Sequence, residues 1–166
     1  TVDGVLTPVT IYDEPRTQKF LMDEVTKLVE EYKDTPGLLM YLLGNENNYG
    51  LFWQGAETED FPDDEGRINF IGESRGRPMY KLMNDAALAM KAIDPSHPVA
   101  ICNGDVLFID IIAEECKDVD IYGTNTYRGV SFGDMFQVVK DKLDKPIMFT
   151  EFGADAFNAI ENTEDQ

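Results

Sequence analysis

The sequence predicts an α/β protein in which parallel strands alternate with helices. Two observations carry this prediction: short continuous apolar runs, typical of strands buried on both faces of a parallel sheet, and apolar residues at helical spacing between those runs. The 166 residues, 43% of them hydrophobic, suit one soluble domain with a real core. Doubly wound sheets and (β/α)₈ barrels share this alternation, so the pattern alone does not choose between them.

The first half of the chain predicts a helix, a strand and a second helix. Pro36-Gly37 ends the first helix, whose apolar residues recur at helical spacing: Phe20, Leu21, Val25, Leu28, Val29 and Tyr32. The apolar run from Leu38 to Leu43 predicts a strand buried on both faces. A polar loop follows, from about 45 to 75. The second helix then ends at Asp94-Pro95 and has one apolar face: Tyr80, Met83, Ala87, Met90 and Ile93.

The second half repeats the cycle with three more strands and two more helices. The strands are predicted at Val99 to Cys102, Val119 to Tyr122 and Ile147 to Phe149. The intervening helices are predicted from Val106 to Cys116 and around 132–139. Strands and helices at this spacing favour βαβ units and hence a parallel sheet.

The charge of the chain excludes several classes of partner. Asp and Glu total 32 against 14 Lys and Arg, a net charge of −18. Nucleic-acid binding requires basic patches that neutralise phosphates, so no nucleic-acid partner is expected. An anionic membrane surface would repel the chain, and no apolar run approaches the roughly 20 residues of a membrane span. A neutral carbohydrate substrate is compatible with this charge, and the localisation stays open.

Metal or cofactor chemistry is not indicated. The chain has one histidine, His97, in a predicted turn, and two cysteines, Cys102 and Cys116, which we interpret as buried free thiols. The acidic residues between 57 and 65 lack the regular ligand spacing of a calcium loop and favour a solvated loop. We therefore expect no metal and no cofactor.

Two carboxylates stand where reactive residues gather in parallel α/β folds, just after strands. Glu46 follows the first predicted strand and Glu151 the last. Retaining glycoside hydrolysis needs two carboxyl groups about 5–5.5 Å apart, one as nucleophile and one as proton donor. Amides and a phenol at the other strand ends, in Asn125 and Tyr127, suit the binding of sugar hydroxyls and the orientation of a nucleophile. From the residues alone, either Glu could instead be an exposed or capping residue.

One aromatic residue in the long loop is a further candidate. Trp53 follows the first strand with other aromatic residues near it. Its ring could stack on a sugar as a subsite wall, or it could pack the loop onto the rim of the fold, and both interpretations stay open.

Four segments resemble family 2 glycoside hydrolases, and one of them, from Ile93 to Val99, matches the helix-to-strand turn before strand five. The run from Leu28 to Glu46 is similar to the fourth-strand region of that family, and its Asn45-Glu46 matches the Asn-Glu pair of the wider clan. Asn125-Thr126-Tyr127 is similar to the Asn-x-Tyr segment after strand six, and Lys145 to Asp155 resembles the nucleophile strand of the β-glucuronidase-like members. The matches extend from about residue 20 to 156. Asp34-Thr35-Pro36 departs from the family's Asn-His-Pro, which puts the specific sugar in doubt.

The resemblance implies a retaining β-glycoside hydrolase that works by double displacement. Glu46 would be the acid/base and Glu151 the nucleophile, and substrate-binding residues are expected at Asn45, Asn125, Tyr127 and Trp53. It also implies a partial (β/α)₈ TIM barrel with strands four to seven and their helices. Residues 1–166 would then be a fragment of a single catalytic domain, and the remainder of the barrel would come from a longer polypeptide.

Other functions remain open at this stage. A carbohydrate-binding or scaffolding module without turnover would keep the fold, and a clan relative could act as an endo-glucanase or glucanosyltransferase. A nucleotide-binding doubly wound domain is disfavoured, because no glycine-rich phosphate loop follows any predicted strand. The sequence leaves open the sugar, the linkage, exo or endo action, and hydrolysis or transglycosylation.

Overall fold

The computed structural model of the protein describes residues 10–52 and 71–154. Helices and strands alternate along these residues: α1 (Pro15–Tyr32), β1 (Tyr41–Leu43), α2 (Arg77–Ile93), β2 (Val99–Gly104), α3 (Ile109–Glu115), β3 (Ile121–Thr126), α4 (Met135–Leu143) and β4 (Ile147–Phe152). A short 3₁₀ helix at Tyr49–Phe52 follows β1, and a π-helical turn at Gly72–Gly76 leads into α2. In this described part of the chain, no helix is long and apolar enough to cross a bilayer.

The four strands form one parallel sheet in the order β1-β2-β3-β4. In register, Leu43 lies opposite Ile101, and Gly104 lies opposite Asn125. A doubly wound sheet reverses its strand order at a switch point, whereas here each strand lies beside the one that precedes it in the chain. The α/β prediction is confirmed, and the architecture is that of a partial (β/α)₈ barrel.

The core lies between the sheet and the helices. Apolar side chains of α1, α2 and β2 are fully buried there, among them Val29, Ala87, Met90, Val99 and Ile101. Burial of this kind contributes roughly 25 cal/mol per Å² of apolar surface and is the main force holding the helices on the sheet. Both cysteines are free and buried, as predicted.

The first strand differs from its prediction. It is three residues long, and the side chain of Leu42 is 45% exposed. The prediction that β1 is buried on both faces is therefore wrong: its helix-facing residues, Tyr41 and Leu43, are buried, while the opposite face is open. An apolar run does not distinguish these two cases, because it records side-chain type and not what covers each face.

The other three strands extend further towards their carboxyl ends than predicted. Polar residues continue the ladder in each of them, so that Asn103, Asn125 and Thr150 all lie within strands. Glu151 likewise lies inside β4 and not after it. The strand predicted from Val119 begins at Ile121 and the helix predicted from Val106 begins at Ile109, shifts within the usual uncertainty of element ends.

At the end of the sheet opposite to these polar residues, a buried carboxylate joins several side chains by hydrogen bonds. Asp94, just after α2, accepts hydrogen bonds from the Tyr41 hydroxyl at 2.8 Å and from the Ser96 backbone N–H at 3.0 Å. The Ser96 hydroxyl also donates to it, at 2.5 Å, and His97 Nδ1 lies 2.7 Å away. The Ser96 hydroxyl above all, then His97 and Tyr41, hold the pKa of Asp94 well below its ordinary value.

We expect Asp94→Asn to weaken the fold at neutral pH and to flatten its acid sensitivity. Because the folded pKa of Asp94 is depressed, its stabilisation is fully present above the unfolded pKa of about 3.9 and is lost as pH falls below that value. Urea unfolding midpoints at pH 7, 4 and 3 would measure both effects. Asp23→Asn, at an exposed Lys19–Asp23 pair, is the control and should change little. An Asp94→Asn variant as stable as the parent at pH 7 would contradict the stabilising role of the Asp94 carboxylate.

Candidate active site

Glu46 lies on a tight turn directly after β1. Its backbone has a positive φ of 52°, and that of Gly44 has a φ of 75°. A left-handed conformation costs a residue with a side chain about 1–2 kcal/mol, so the surroundings must hold Glu46 in place. The Glu46 N–H donates to the carbonyl of Cys102 in β2 at 3.0 Å, and the Glu46 carbonyl accepts from the Tyr49 N–H at 3.0 Å. These bonds attach the turn to the neighbouring strand.

Asn48 provides a second attachment between this turn and β2. Its side chain is buried, donates to the Gly104 carbonyl at 3.1 Å and accepts from the Gly104 N–H at 2.7 Å. A Cβ atom at Gly104 would lie 2.1 Å from the ring of Tyr49, so only glycine allows this close approach. The position of Glu46 thus depends on the end of β2.

Glu151 lies at the end of β4 and is bound by a tyrosine from the loop after β3. The Tyr127 hydroxyl donates to Glu151 Oε2 at 2.6 Å. Both side chains are exposed. The expectation that Tyr127 lies beside Glu151 is therefore met by the geometry.

A register shift between β3 and β4 explains how Glu151 reaches Tyr127. Thr124 pairs with Phe149, but the next residue, Asn125, pairs with Glu151, which leaves Thr150 as an extra residue on β4. Such bulges bend a strand and change the direction of side chains next to active sites. Here Thr150 contacts Asn125 and Glu151 contacts Tyr127, so adjacent residues of β4 both reach polar partners from β3 and the loop after it.

Four polar side chains meet at the carboxyl ends of the strands, and we call them the amide cluster: Asn45, Cys102, Asn125 and Thr150. The Thr150 hydroxyl donates to Asn125 Oδ1 at 2.5 Å, and Asn125 Nδ2 donates to Asn45 Oδ1 at 3.1 Å. Cys102 Sγ lies 3.3 Å from Asn125 Oδ1 and 3.2 Å from Thr150 Oγ1. Asn45 precedes Glu46 and Thr150 precedes Glu151, so the cluster joins the two strand ends.

An ion pair holds the loop that carries Tyr127. Arg128 binds Asp105 with two hydrogen bonds, Nε to Oδ2 at 2.8 Å and Nη2 to Oδ1 at 2.5 Å. Asp105 has a positive φ of 45°, and its carbonyl accepts from the Tyr122 hydroxyl at 2.6 Å. The fork of hydrogen bonds to Asp105 raises the pKa of Arg128. Because the guanidinium is fixed, the residue next to Tyr127 has little freedom to move.

The comparison with models of protein families identifies the family of the chain. The family model described as "Glycosyl hydrolases family 2, TIM barrel domain" matches residues 6–165. The chain belongs to this family. The match covers both carboxylates and the whole amide cluster.

Solved structures show the same fold. A β-D-glucuronidase for Dictyoglomus thermophilum is 18% identical with a TM-score of 0.56, and the match covers 98% of this chain and 27% of that one. The agarase AgWH50C is 17% identical with a TM-score of 0.55, and the match covers 97% of this chain and 30% of the agarase chain. A β-mannanase from the blue mussel Mytilus edulis is 14% identical with a TM-score of 0.50, and the match covers 94% of this chain and 53% of the mannanase chain. No curated protein gave a significant match.

This member of glycosyl hydrolase family 2 therefore spans about a quarter to a half of the length of these solved structures. The structure brings four of the predicted site residues into hydrogen-bonded pairs, Asn45 with Asn125 and Tyr127 with Glu151. Trp53 lies outside the described residues. The separation of the Glu46 and Glu151 carboxyls stays a prediction of about 5–5.5 Å.

The sequence interpretation had not assigned Cys102 or Thr150 to the site. Each was interpreted only as part of, or next to, an apolar strand, and neither type of side chain indicates catalysis by itself. Thr150 could have been found from its position before Glu151, since neighbours of a catalytic residue often support it. Within residues 10–52 and 71–154, no group of three or more His, Cys, Asp or Glu side chains could hold a metal ion.

Proposed function

We propose that the chain carries the catalytic carboxylates of a retaining β-glycosidase, with Glu151 as nucleophile and Glu46 as acid/base. The observation that carries the proposal is the 2.6 Å hydrogen bond from the Tyr127 hydroxyl to Glu151 Oε2. It orients one carboxylate oxygen and leaves the other to attack a sugar. Membership of a glycoside hydrolase family supports the reaction class.

The reaction would proceed in two displacements. In the first, the Glu151 carboxylate attacks the anomeric carbon, the glycosidic C–O bond breaks, and Glu46 gives its proton to the leaving oxygen. In the second, Glu46 takes a proton from water, the resulting oxygen attacks the anomeric carbon, and Glu151 is released as a carboxylate. Both steps need a carboxyl group on each side of the bond and no cofactor.

Substrate binding would use side chains that face the open side of the site. Asn45 is exposed at the turn before Glu46, and Tyr127 is exposed beside Glu151. Trp53 is a candidate sugar-stacking wall, since aromatic rings offer apolar faces to sugar rings. Asn125 is 1% exposed and its amide is occupied by protein partners, so we place it with the residues that support the site and not with the sugar ligands.

We propose in addition that residues 1–166 are a fragment of one catalytic domain and that the remaining strands come from a longer polypeptide. Among the described residues, β1 and β4 are each paired on one side only. Closing a (β/α)₈ barrel requires eight strands, so the wall facing this arc must be supplied by other residues.

The test of the proposal is Glu46→Gln in the full-length protein, after a screen of chromogenic β-glycosides has identified a substrate. We expect a loss of about 10²–10⁴-fold with a poor leaving group, which needs protonation, and a much smaller loss with dinitrophenyl as leaving group. Azide should restore the rate by attacking the glycosyl-enzyme and should give a β-glycosyl azide.

Glu24→Gln is the matched control, because Glu24 is an exposed residue of α1 and not of the strand ends that carry the two carboxylates. It should leave the kinetics unchanged. Equal losses with good and poor leaving groups, without azide rescue, would contradict the acid/base role. Sugar binding without turnover by the unmodified protein would instead indicate a carbohydrate-binding module.

A further inference from the structure

The main chain leaves the sheet at Glu46, although hydrogen bonding to β2 continues beyond this residue. The Glu46 N–H donates to the Cys102 carbonyl at 3.0 Å, as in a parallel ladder. If the ladder continued, the Gly104 N–H would next donate to the Glu46 carbonyl, and the Asn48 N–H would then donate to the Gly104 carbonyl. Instead, the Glu46 carbonyl accepts from the Tyr49 N–H and closes the turn.

The side chain of Asn48 takes the place of both missing ladder partners. Asn48 Oδ1 accepts from the Gly104 N–H at 2.7 Å, and Asn48 Nδ2 donates to the Gly104 carbonyl at 3.1 Å. Because a backbone N–H only donates and a carbonyl only accepts, these partners fix which end of the carboxamide faces which group. Asn48 is 1% exposed and Gly104 is buried, so water does not compete for either bond. The carboxamide therefore acts as one further peptide group at the edge of β2.

This replacement allows Glu46 to keep its left-handed conformation. With a φ of 52°, Glu46 departs from the extended backbone of a strand, and its surroundings must hold it there. Removal of the Asn48 carboxamide would leave the N–H and the carbonyl of Gly104 buried without these partners, which is unfavourable. The Glu46 carbonyl is the acceptor that a regular ladder supplies to the Gly104 N–H. Formation of that bond would draw Glu46 towards extended backbone and change the direction of its carboxyl group.

We infer that Asn48 is a positioning residue for the proton donor: by replacing the main-chain partners of Gly104, its carboxamide holds Glu46 in the turn that sets the direction of the Glu46 carboxyl. The inference rests on the proposed function, since it takes Glu46 as the acid/base. Asn48 is buried and acts through Glu46, not by contact with the sugar. Glu151 has a separate partner in Tyr127, so the nucleophile is not part of this connection.

A misplaced proton donor has a kinetic signature that a general loss of structure lacks. Protonation of the leaving oxygen matters most when the leaving group is poor. The ratio kcat/KM reports the first displacement, in which that protonation occurs. A displaced Glu46 therefore lowers kcat/KM for a phenyl glycoside far more than for a dinitrophenyl glycoside of the same sugar. A disturbed sugar-binding wall lowers both values alike.

The experiment compares Asn48→Ala with the parent in the full-length protein, on phenyl and dinitrophenyl β-glycosides of one sugar. We expect kcat/KM to fall by about ten-fold to a hundred-fold on the phenyl glycoside and by less than about three-fold on the dinitrophenyl glycoside. Labelling of Glu151 by a 2-fluoro dinitrophenyl glycoside should keep its parental rate, because this leaving group needs little protonation.

Asn84→Ala is the matched control, because the Asn84 amide also binds a backbone group, but before β3 at the opposite end of the sheet. Asn84 Oδ1 accepts from the Asp118 N–H at 2.7 Å, and Asn84 Nδ2 donates to the Asp118 carboxylate at 3.0 Å. Loss of these bonds should lower the urea midpoint. It should leave the ratio of the two kcat/KM values at its parental level.

A double variant tests whether Asn48 acts through Glu46. In a Glu46→Gln background, Asn48→Ala should cause no further loss on the phenyl glycoside, because the proton donor that it positions is gone. If Asn48→Ala fails to fold, as judged by circular dichroism, Asn48→Ser makes the same comparison. The serine hydroxyl stands where the amide carbon stood, one bond short of both partners on Gly104, and it keeps the place polar.

Three results would overturn the inference and leave the proposed function intact. Parental kcat/KM for Asn48→Ala on the phenyl glycoside would show that the carboxamide is not needed. Equal losses on the two glycosides, additive with Glu46→Gln, would show a general structural role. The same change of ratio in Asn84→Ala would show that the ratio follows stability alone. Absence of β-glycoside hydrolysis by the unmodified protein, in contrast, would remove the proposed function and the inference together.

Discussion

Replacing Glu151 by glutamine is expected to abolish glycoside hydrolysis, with a loss on the order of 10⁴-fold or more. The amide has the shape of the carboxylate and can still accept a hydrogen bond from Tyr127, but it is too weak a nucleophile to form the glycosyl-enzyme. An activated aryl leaving group should not help, in contrast to Glu46→Gln, because the missing group is the one that attacks. Initial rates with dinitrophenyl and methyl glycosides of the same sugar measure this difference.

Covalent labelling identifies the nucleophile independently of rates. A 2-fluoro glycoside with a good leaving group should trap the unmodified enzyme, and peptide mass spectrometry should place the sugar on Glu151. Tyr127→Phe is the matched companion, because it removes the hydroxyl that donates to Glu151 at 2.6 Å and keeps the ring. It should slow labelling without preventing it. A label on any other residue, or substantial turnover by Glu151→Gln, would disprove the assignment.

The stereochemistry of the product distinguishes the retaining mechanism from an inverting one. Proton NMR of the first-formed sugar should show the β anomer, since two displacements restore the starting configuration. An inverted product would require room for a water between the carboxyl groups, at a separation of about 6.5–9.5 Å. It would also exclude a covalent intermediate on Glu151.

Periodicity predicted the elements better than it predicted their ends. The helix of Tyr80, Ala87 and Met90 was recognisable because its buried face repeats at helical spacing. The carboxyl ends of the strands were missed, because polar residues such as Asn103 and Thr150 continue the backbone ladder without an apolar signal. Hydrogen bonding of the main chain, not hydrophobicity, defines a strand at an active site.

The amide cluster shows why a site is harder to predict than a fold. Resemblance to the family indicated Asn45, Glu46, Tyr127 and Glu151, because these residues stand in recognisable motifs. The contact of Thr150 with Asn125 depends on the register shift between β3 and β4, which places one extra residue on β4. A shift of this kind has no signature in a single sequence. The burial of Asn125, on which we base its proposed supporting role, follows from the same packing.

Residues 1–166, expressed alone, are expected to show negligible glycosidase activity although they contain both carboxylates. A (β/α)₈ barrel typically takes about 250 residues and eight strands, and the part of the chain that the structure describes forms an arc of four. The sugar would lie over the middle of the closed barrel, so half of its binding wall would be missing. Transition-state stabilisation requires groups held within about 0.5 Å of their productive positions, which an open arc does not ensure.

The surface of the arc supports the same expectation. The face of Leu42 is uncovered, and Phe152 at the end of β4 is 69% exposed. An open cleft of about 500 Å³ lies between α4 and β4, lined in part by Phe136, Pro146 and Ile147. Exposed apolar residues beside a free strand edge favour pairing with another chain. We therefore expect the isolated arc to self-associate, which sedimentation velocity can measure across a range of concentrations.

The decisive measurement compares three proteins under one assay. Residues 1–166 should hydrolyse an aryl β-glycoside no faster than the same residues carrying both Glu46→Gln and Glu151→Gln, while the longer polypeptide should be active. The double variant is the right control, because it keeps the fold and any contaminating background while removing both proposed catalytic groups. Activity well above that control, from a fraction shown to be monomeric, would mean that the four-stranded arc holds the two carboxylates and the sugar without the rest of the barrel. The requirement for a complete sugar-binding wall would then be wrong, and the proposed catalytic roles of Glu46 and Glu151 would stand without it.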